Sequence, residues 1–350
     1  MAPNTASTAN QNPPMDEAML KSAAIIGSGS FGTAIAKLLE TRLDEIVLIG
    51  RDTEMADSIN RDHQNPAYLT DIPLAENVRA SCHLAEALNH PLVIFAVPTS
   101  ATRETARNLL DAGLPSHAIL LSCAKGIEKS TGDRMSQILA EIFPTNPIAV
   151  LSGPNHAEEI ATGMATCAVI GAEDHDLAVR LQNVFTLPHF RSYTSDDLAG
   201  IEFGGAVKNV YAIAAGMAHG LGLGDNAVAA LVTRALAEMT RLGTALGGRL
   251  ETFSGLSGVG DLIVTCFSEH SRNHRVGLAL GSGKTLEEAV SALGMIAEGI
   301  PNTLSIHEAA RRVGVRTPII DAVFSVLHEG KPVSLAMKDL LNRDSRPESS

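Results

Sequence analysis

The chain has 350 residues, 45% of them hydrophobic and 19% charged, with a formal net charge of −12 at pH 7. That mixture describes a folded globular protein with enough apolar material for a large core and room for two domains, not a disordered chain. The acidic balance argues against a nucleic-acid partner, which must be met by an excess of lysine and arginine, yet it allows a small anionic substrate held by a few local cations.

Residues 1–21 contain Pro, Asn, Ser and Thr, no arginine and no signal-peptide apolar core, and read as a flexible tail. The first strand, Ser22–Ile26, runs directly into Gly27-Ser28-Gly29-Ser30-Phe31-Gly32, and an apolar-periodic helix follows. Each glycine of this G-x-G-x-x-G run has a mechanical use. Gly27 permits the tight strand-to-helix turn, Gly29 lets backbone approach a pyrophosphate, and Gly32 lets the helix lie close on the strand. The N–H groups at the helix start then face the phosphates, aided by the helix dipole. A second strand, Glu45–Ile49, ends at Gly50-Arg51-Asp52, where the group that contacts the adenosine ribose belongs. An acidic residue there favours NAD and an arginine accommodates NADP; this chain offers both, and Arg51 tips the reading toward NADPH with NADH also used.

Further strands are expected at Leu92–Val97, Ala118–Ser122, Ile148–Leu151, Thr166–Ile170 and Phe190–Tyr193, alternating with helical patterns. The unbroken apolar run at Leu92–Val97 suits a strand buried on both faces of a parallel sheet. The alternation implies a Rossmann-like, doubly wound, mostly parallel α/β domain over 22–195, with ligands beyond the carboxyl ends of its strands. After about residue 196 strand signals stop, and Ala/Leu/Val-rich helices continue to about 340 before a polar tail over 341–350. The second domain therefore reads as all-α-helical. Its most apolar stretch, Val210 to Leu223, is interrupted by His219 and flanked by Lys208 and Asp225, which fits a buried helix and not a membrane span. The four cysteines, Cys82, Cys123, Cys167 and Cys266, form no C-x-x-C pair, and they read as reduced thiols of a cytoplasmic protein with no metal site.

Four segments put polar residues where packing alone would want apolar ones. Ser122-Cys123-Ala124-Lys125-Gly126-Ile127-Glu128 ends a buried strand, so Lys125 is either a solvated loop cation or a cation at the carboxyl edge of the sheet. In Ser152-Gly153-Pro154-Asn155-His156-Ala157-Glu158, Asn155 and Glu158 have the spacing of a capping box. His156 beside it reads as structural rather than as an acid or base. In Glu202-Phe203-Gly204-Gly205-Ala206-Val207-Lys208-Asn209, a lysine sits inside an apolar helix one turn after two glycines, which a helix tolerates where something approaches its backbone closely. Lys208 could snorkel to solvent; desolvated beside a second cation, its pKa would fall toward the range of a general acid/base. In Gly258-Val259-Gly260-Asp261, Asp261 is delivered to a helix start as either a cap or a site group. Ser271-Arg272-Asn273 then opens the next helix with a forked cation and free N–H groups, a good phosphate site.

In this order and spacing, GSGSFG, CAKGIE, SGPN, EFGGAVKN, GVGDLIVTC and SRN closely resemble NAD(P)-dependent glycerol-3-phosphate dehydrogenases, across roughly residues 22–340. The resemblance implies reversible reduction of dihydroxyacetone phosphate to sn-glycerol 3-phosphate by NADPH or NADH, supplying the backbone of phospholipids, in a homodimer. It makes Lys208 the proton donor/acceptor, with Asp261 and Lys125 beside it. It assigns Lys125, Gly153, Asn155, Lys208, Asn209, Asp261, Ser271, Arg272 and Asn273 to the substrate. To the cofactor it assigns Gly27, Gly29, Ser30, Phe31, Gly32, Arg51, Lys125, Ala157, Arg272, Ile296 and Glu298. The chain departs from the pattern in three places: Phe31 stands where Trp is frequent, Asn155 where Ser or Thr is, and Thr99 where Ser is. A β-hydroxyacid or ketol-type dehydrogenase of similar two-domain layout is the alternative reading; it would need a carboxylate site in place of the phosphate site.

Overall fold

The computed structural model describes residues 20–294 and 297–342. Eight strands form one sheet: β1 (Ser22–Ile26), β2 (Glu45–Ile49), β3 (Val78–Ser81), β4 (Leu92–Phe95), β5 (Ile119–Ser122), β6 (Ile148–Ser152), β7 (Thr166–Ala172) and β8 (Phe190–Ser195). Their order across the sheet is β3-β2-β1-β4-β5-β6-β7-β8. The first six are mutually parallel, as the apolar runs imply, and helices cover both faces. These are α1 (Ser30–Leu39), α2 (Thr53–Asp62), α3 (Thr99–Asp111), α4 (Met135–Ile142), α5 (Ala157–Ala161) and α6 (His175–Phe185). Ile25, Ile46, Leu48, Leu92 and Ile94 carry no exposed surface, and each such side chain contributes roughly 1.5–3 kcal/mol by leaving water.

Two features differ from the expected pattern. β3 has the sequence Val-Arg-Ala-Ser, too short and too polar to show as a buried strand, and it is stable because it lies at the sheet edge against β2. β7 pairs antiparallel to β6, and β8 then runs parallel to β7, so the last two strands point against the other six.

The remainder is helical: α7 (Leu198–Gly220), α8 (Asp225–Ala245), α9 (Leu250–Phe253), α10 (Asp261–Phe267), α11 (Arg272–Gly281), α12 (Leu286–Leu293), α13 (Gly299–Arg312), α14 (Pro318–Glu329) and α15 (Val333–Leu341). One turn of π-helical backbone at Leu256–Gly260 leads into α10. The centre of this bundle is α7, buried without interruption from Gly200 to Ala218. A helix apolar on all sides is surrounded on all sides, so the few polar groups it carries must find partners inside the protein.

Candidate active site

Strands β1, β4, β5 and β6 are neighbours in the sheet, and their carboxyl ends deliver the site in sequence. β1 ends in the glycine-rich turn, where Gly27 has φ +117° and an added Cβ would stand 2.5 Å from the Ala96 carbonyl oxygen. Gly29, by contrast, faces open space, and no side chain caps α1 at its N-terminus. That pairing of a crowded inner turn with an open, uncapped helix start fits the diphosphate of a dinucleotide. Ser30, Phe31 and Gly32 form the first turn of that helix.

The turn is braced by a residue with no local signal of its own. Asn65 is fully buried; its Nδ2 donates to the Ser28 carbonyl at 2.9 Å and to Thr33 Oγ1 at 2.9 Å, and its Oδ1 accepts from the N–H groups of Ala67 and Tyr68, each at 3.0 Å. Arg51 lies exposed just after β2, while the Asp52 carboxylate caps α2 by accepting from Met55 N at 3.1 Å.

After β5, Lys125 reaches across to the helical region. All three protons of its ammonium find acceptors: Gly153 O at 2.8 Å, Asn155 Oδ1 at 2.6 Å and Asp261 Oδ2 at 2.8 Å. It is thus no solvated loop cation. Gly205 makes room for it, since a Cβ there would stand 2.9 Å from Ser152 Oγ and 3.4 Å from Lys125 Cγ. The close approaches that the paired glycines imply are thus those of the Ser257 carbonyl at Gly204, where a Cβ would stand 2.3 Å away, and of Ser152 and Lys125 at Gly205. Asn155 does not cap a helix: α5 starts later, with His156 at the cap position and no capping side chain, because the Asn155 oxygen is taken by Lys125. Its Nδ2 is buried without a protein partner, which leaves a donor for a ligand. Ala157 opens α5 beside it.

Lys208 is buried in α7 and does not snorkel to solvent. Its ammonium donates to Asp261 Oδ1 and, at 2.7 Å, to Thr265 Oγ1. Thr265, another residue without a local signal, in turn donates to the Asp261 carbonyl at 2.6 Å. Asp261 is 1% exposed and is the first residue of α10 rather than its cap, which is Gly260. Its carboxylate lies between the two lysines. Burial pushes the Lys208 pKa down and the Lys125 charge lowers it further, while Asp261 raises it, leaving it at about 8. Burial acts to raise the Asp261 pKa, but the two lysines outweigh it and hold the carboxyl below its ordinary value. His156 is lowered to about 4 by burial and by both lysine charges, so it is a neutral imidazole and not an acid at neutral pH.

Asn209, next to Lys208, faces another way. Its Nδ2 donates to the Lys125 carbonyl at 3.1 Å, and its Oδ1 accepts from Asn273 Nδ2 at 2.9 Å. Asn273 Oδ1 accepts from Gly299 N at 2.9 Å. Ser271 caps α11 by accepting from His274 N at 3.2 Å, and Arg272 opens that helix. Just before α13, Glu298 Oε1 accepts from Thr99 N at 3.3 Å. Burial raises the Glu298 pKa against the lowering charges of Arg272, Lys125 and Lys208, which places all four groups in one field. Lys125, Gly153, Asn155, Lys208, Asn209, Asp261 and Asn273 are thereby joined in one network of hydrogen bonds. Ile296 lies outside the described residues.

Comparison with known proteins agrees with this geometry. The family model for the NAD-dependent glycerol-3-phosphate dehydrogenase N-terminus matches residues 22–178, and that for the C-terminus matches residues 197–338. The chain is 45% identical over 326 residues to a glycerol-3-phosphate dehydrogenase [NAD(P)+] of Moorella thermoacetica, covering 93% of this chain and 97% of the relative. Among solved structures it is similar to the glycerol-3-phosphate dehydrogenase of Coxiella burnetii, with a TM-score of 0.89, 34% identity, and 93% of this chain and 100% of the other covered. It is also similar to the yeast glycerol-3-phosphate dehydrogenase, with a TM-score of 0.79, 28% identity, and 93% and 100% coverage.

Proposed function

The chain belongs to the NAD(P)-dependent glycerol-3-phosphate dehydrogenase family, and from that premise we propose that it interconverts dihydroxyacetone phosphate and sn-glycerol 3-phosphate, with Lys208 exchanging the proton at the substrate C2 oxygen. The observation that carries this reading is the buried Lys208–Asp261–Lys125 cluster at the carboxyl edge of the sheet.

The open, uncapped start of α1 and the tight turn before it fit a nicotinamide dinucleotide, which supplies the hydride when bound. The backbone N–H groups at Ser30, Phe31 and Gly32 would hold its diphosphate, Ala157, Lys125, Arg272 and Glu298 would border the bound cofactor, and Arg51 would meet a 2′-phosphate. Asp52 caps α2 through Oδ1 alone, so both groups at the end of β2 remain able to meet a ribose; Arg51 favours NADPH, with NADH also accepted.

An ammonium carries three protons. Among the described residues, two protein acceptors meet that of Lys208, so the third proton is available to a substrate oxygen. Asp261 orients Lys208 and offsets its charge; Lys125 keeps the pKa low enough for the proton to leave. Arg272 and the first-turn N–H groups of α11, held by the Ser271 cap, grip the phosphate, and Asn155 and Gly153 border the reacting carbon. Binding energy at the phosphate is thus used to orient C2.

The chain divides on this reading into a cofactor-binding domain over 22–195 and a substrate domain over 196–340, flanked by tails. No helix among the described residues is long and apolar enough to cross a membrane. The enzyme works as a cytoplasmic homodimer that supplies glycerol phosphate for phospholipids. The test is NADPH oxidation upon addition of dihydroxyacetone phosphate to purified protein. Turnover with a 2-keto or 3-keto acid in its place, and none with the phosphate, would transfer the assignment to the β-hydroxyacid and ketol-type dehydrogenases.

A further inference from the structure

The backbone of Lys125 is held as tightly as its side chain. A carbonyl oxygen has two lone pairs, and both are taken: Asn209 Nδ2 donates from α7 at 3.1 Å and Asn302 Nδ2 donates from α13 at 2.9 Å. Since the carbonyl can only accept, the orientation of both amides follows. Asn302 is 3% exposed, and the turn after Lys125 presses directly on it: a Cβ added at Gly126 would stand 2.5 Å from Asn302 Oδ1 and 2.5 Å from Thr99 Oγ1. The same helix touches the sheet edge at two more places, through Glu298 to Thr99 N at its start and through Arg312 Nη1 to Thr131 O, at 2.7 Å, at its end.

We propose that Asn302 is a positioning residue for the reaction: with Asn209 it fixes the Lys125 carbonyl, and so sets where the Lys125 ammonium stands relative to Asp261 and Lys208. Asn302 lies 177 positions from Lys125 in the chain and on a different part of the fold, so it ties the helical region to the sheet at the point where the two lysines share one carboxylate. Loss of its donor frees one lone pair of the Lys125 carbonyl, lets the Cys123–Glu128 turn shift, and draws the Lys125 ammonium away from Lys208. This inference rests on the assignment of Lys208 as the proton-exchanging group.

The groups that act on Lys208 are Asp261 and Cys266 on α10, Lys125 after β5, His156 before α5, and Glu298 before α13. Of these, Lys125 is the cation whose proximity Asn302 controls, and its withdrawal lets the Lys208 pKa rise. The experiment compares wild type with Asn302→Leu, which keeps the volume and removes the donor, and with Gly126→Ala, which pushes the turn off Asn302 from the other side. The pH profile of kcat/KM for glycerol 3-phosphate oxidation is read alongside the melting temperature. Expected for either variant is a loss of about tenfold or more in kcat, as small displacements of a reacting group produce. With it comes a shift of the alkaline-rising limb to higher pH by about half a unit or more. A merely structural role lowers the melting temperature and leaves that limb in place. An unmoved limb with kcat within about twofold of wild type, in whichever variant is folded, overturns the inference. If wild type itself shows no glycerol-phosphate-dependent turnover, it is the functional reading that fails, and the two failures are distinct.

Discussion

Lys208 and Asp261 lie 53 positions apart, on α7 and α10, both buried, and meet through Asp261 Oδ1. The second carboxylate oxygen holds Lys125 at 2.8 Å, so one buried anion is shared between two cations. An odd number of charges in a largely buried site keeps one ammonium poised to lose its proton, whereas a single lysine–aspartate pair would hold it firmly.

Removal of the proton-exchanging amine should abolish turnover while sparing the cofactor site. Lys208→Ala is expected to reduce kcat for NADPH oxidation by dihydroxyacetone phosphate by about 10²–10⁴. The dissociation constant for NADPH, followed by the change in its fluorescence, should stay within about twofold. Near-normal turnover would refute the role given to Lys208.

The direction of the pH dependence follows from the Lys208 pKa of about 8. The amine must be neutral to accept a proton, so oxidation of glycerol 3-phosphate rises with pH through about 8; it must be protonated to donate, so the reduction falls over the same range. Asp261→Asn removes the anion that favours the ammonium, and the limb moves to lower pH. It also takes from Lys125 and Lys208 the carboxylate they share, and a lower unfolding free energy than wild type is expected from urea titration.

Cofactor choice is read at the end of β2. Arg51→Ala should raise the KM for NADPH about tenfold or more and change that for NADH by less than about twofold, since a charge-assisted contact to the 2′-phosphate is lost only in the first case. Equal effects on the two cofactors would show that Arg51 does not read that phosphate.

Away from the site, Glu238 is 1% exposed and caps α14, accepting from Ile319 N at 3.1 Å and Ile320 N at 3.0 Å. Burial raises its pKa to about 7 despite those two bonds and the Arg241 charge. The folded pKa therefore stands above the unfolded one, near 4.5. A contribution of that sign is complete below about pH 4.5 and is lost as pH rises through about 7, amounting to about 3 kcal/mol. Glu238→Gln cannot ionise and escapes that loss. Its stability relative to wild type should improve between about pH 5 and 7 and level off above that in urea titrations; a difference that is flat from about pH 5 to 7 would contradict the assignment.

Much of this protein can be read along the chain. The strand-turn-helix at Ser22–Leu39, the parallel strands with their apolar runs and the change to helices near residue 196 all depend on neighbours within a few residues, and so leave a local signature. Lys208, too, is conspicuous as a charge in an apolar helix beside two glycines. Where local chemistry had two solutions, the sequence left both open. The spacing of Asn155 and Glu158 suits a capping box, yet Lys125 takes the asparagine oxygen first. Asp261 suits an N-cap, yet two lysines claim its carboxylate. β3 is held by its partner at the sheet edge, and Val-Arg-Ala-Ser has no pattern of its own.

The sequence by itself determined every strand but β3, the dinucleotide turn and the set of charged groups that had to find partners indoors. Only the tertiary structure decided which partners they found: the antiparallel turn of β7, the shared carboxylate, and the amides of Asn65, Asn209 and Asn302 that hold loops from a distance. The reason is physical. Periodicity and turn chemistry are set by contacts a few residues apart, but a buried amide or lysine is satisfied by whichever complementary group the packed chain brings within about 3 Å, and separations of 53 and 177 positions carry no local trace of that meeting.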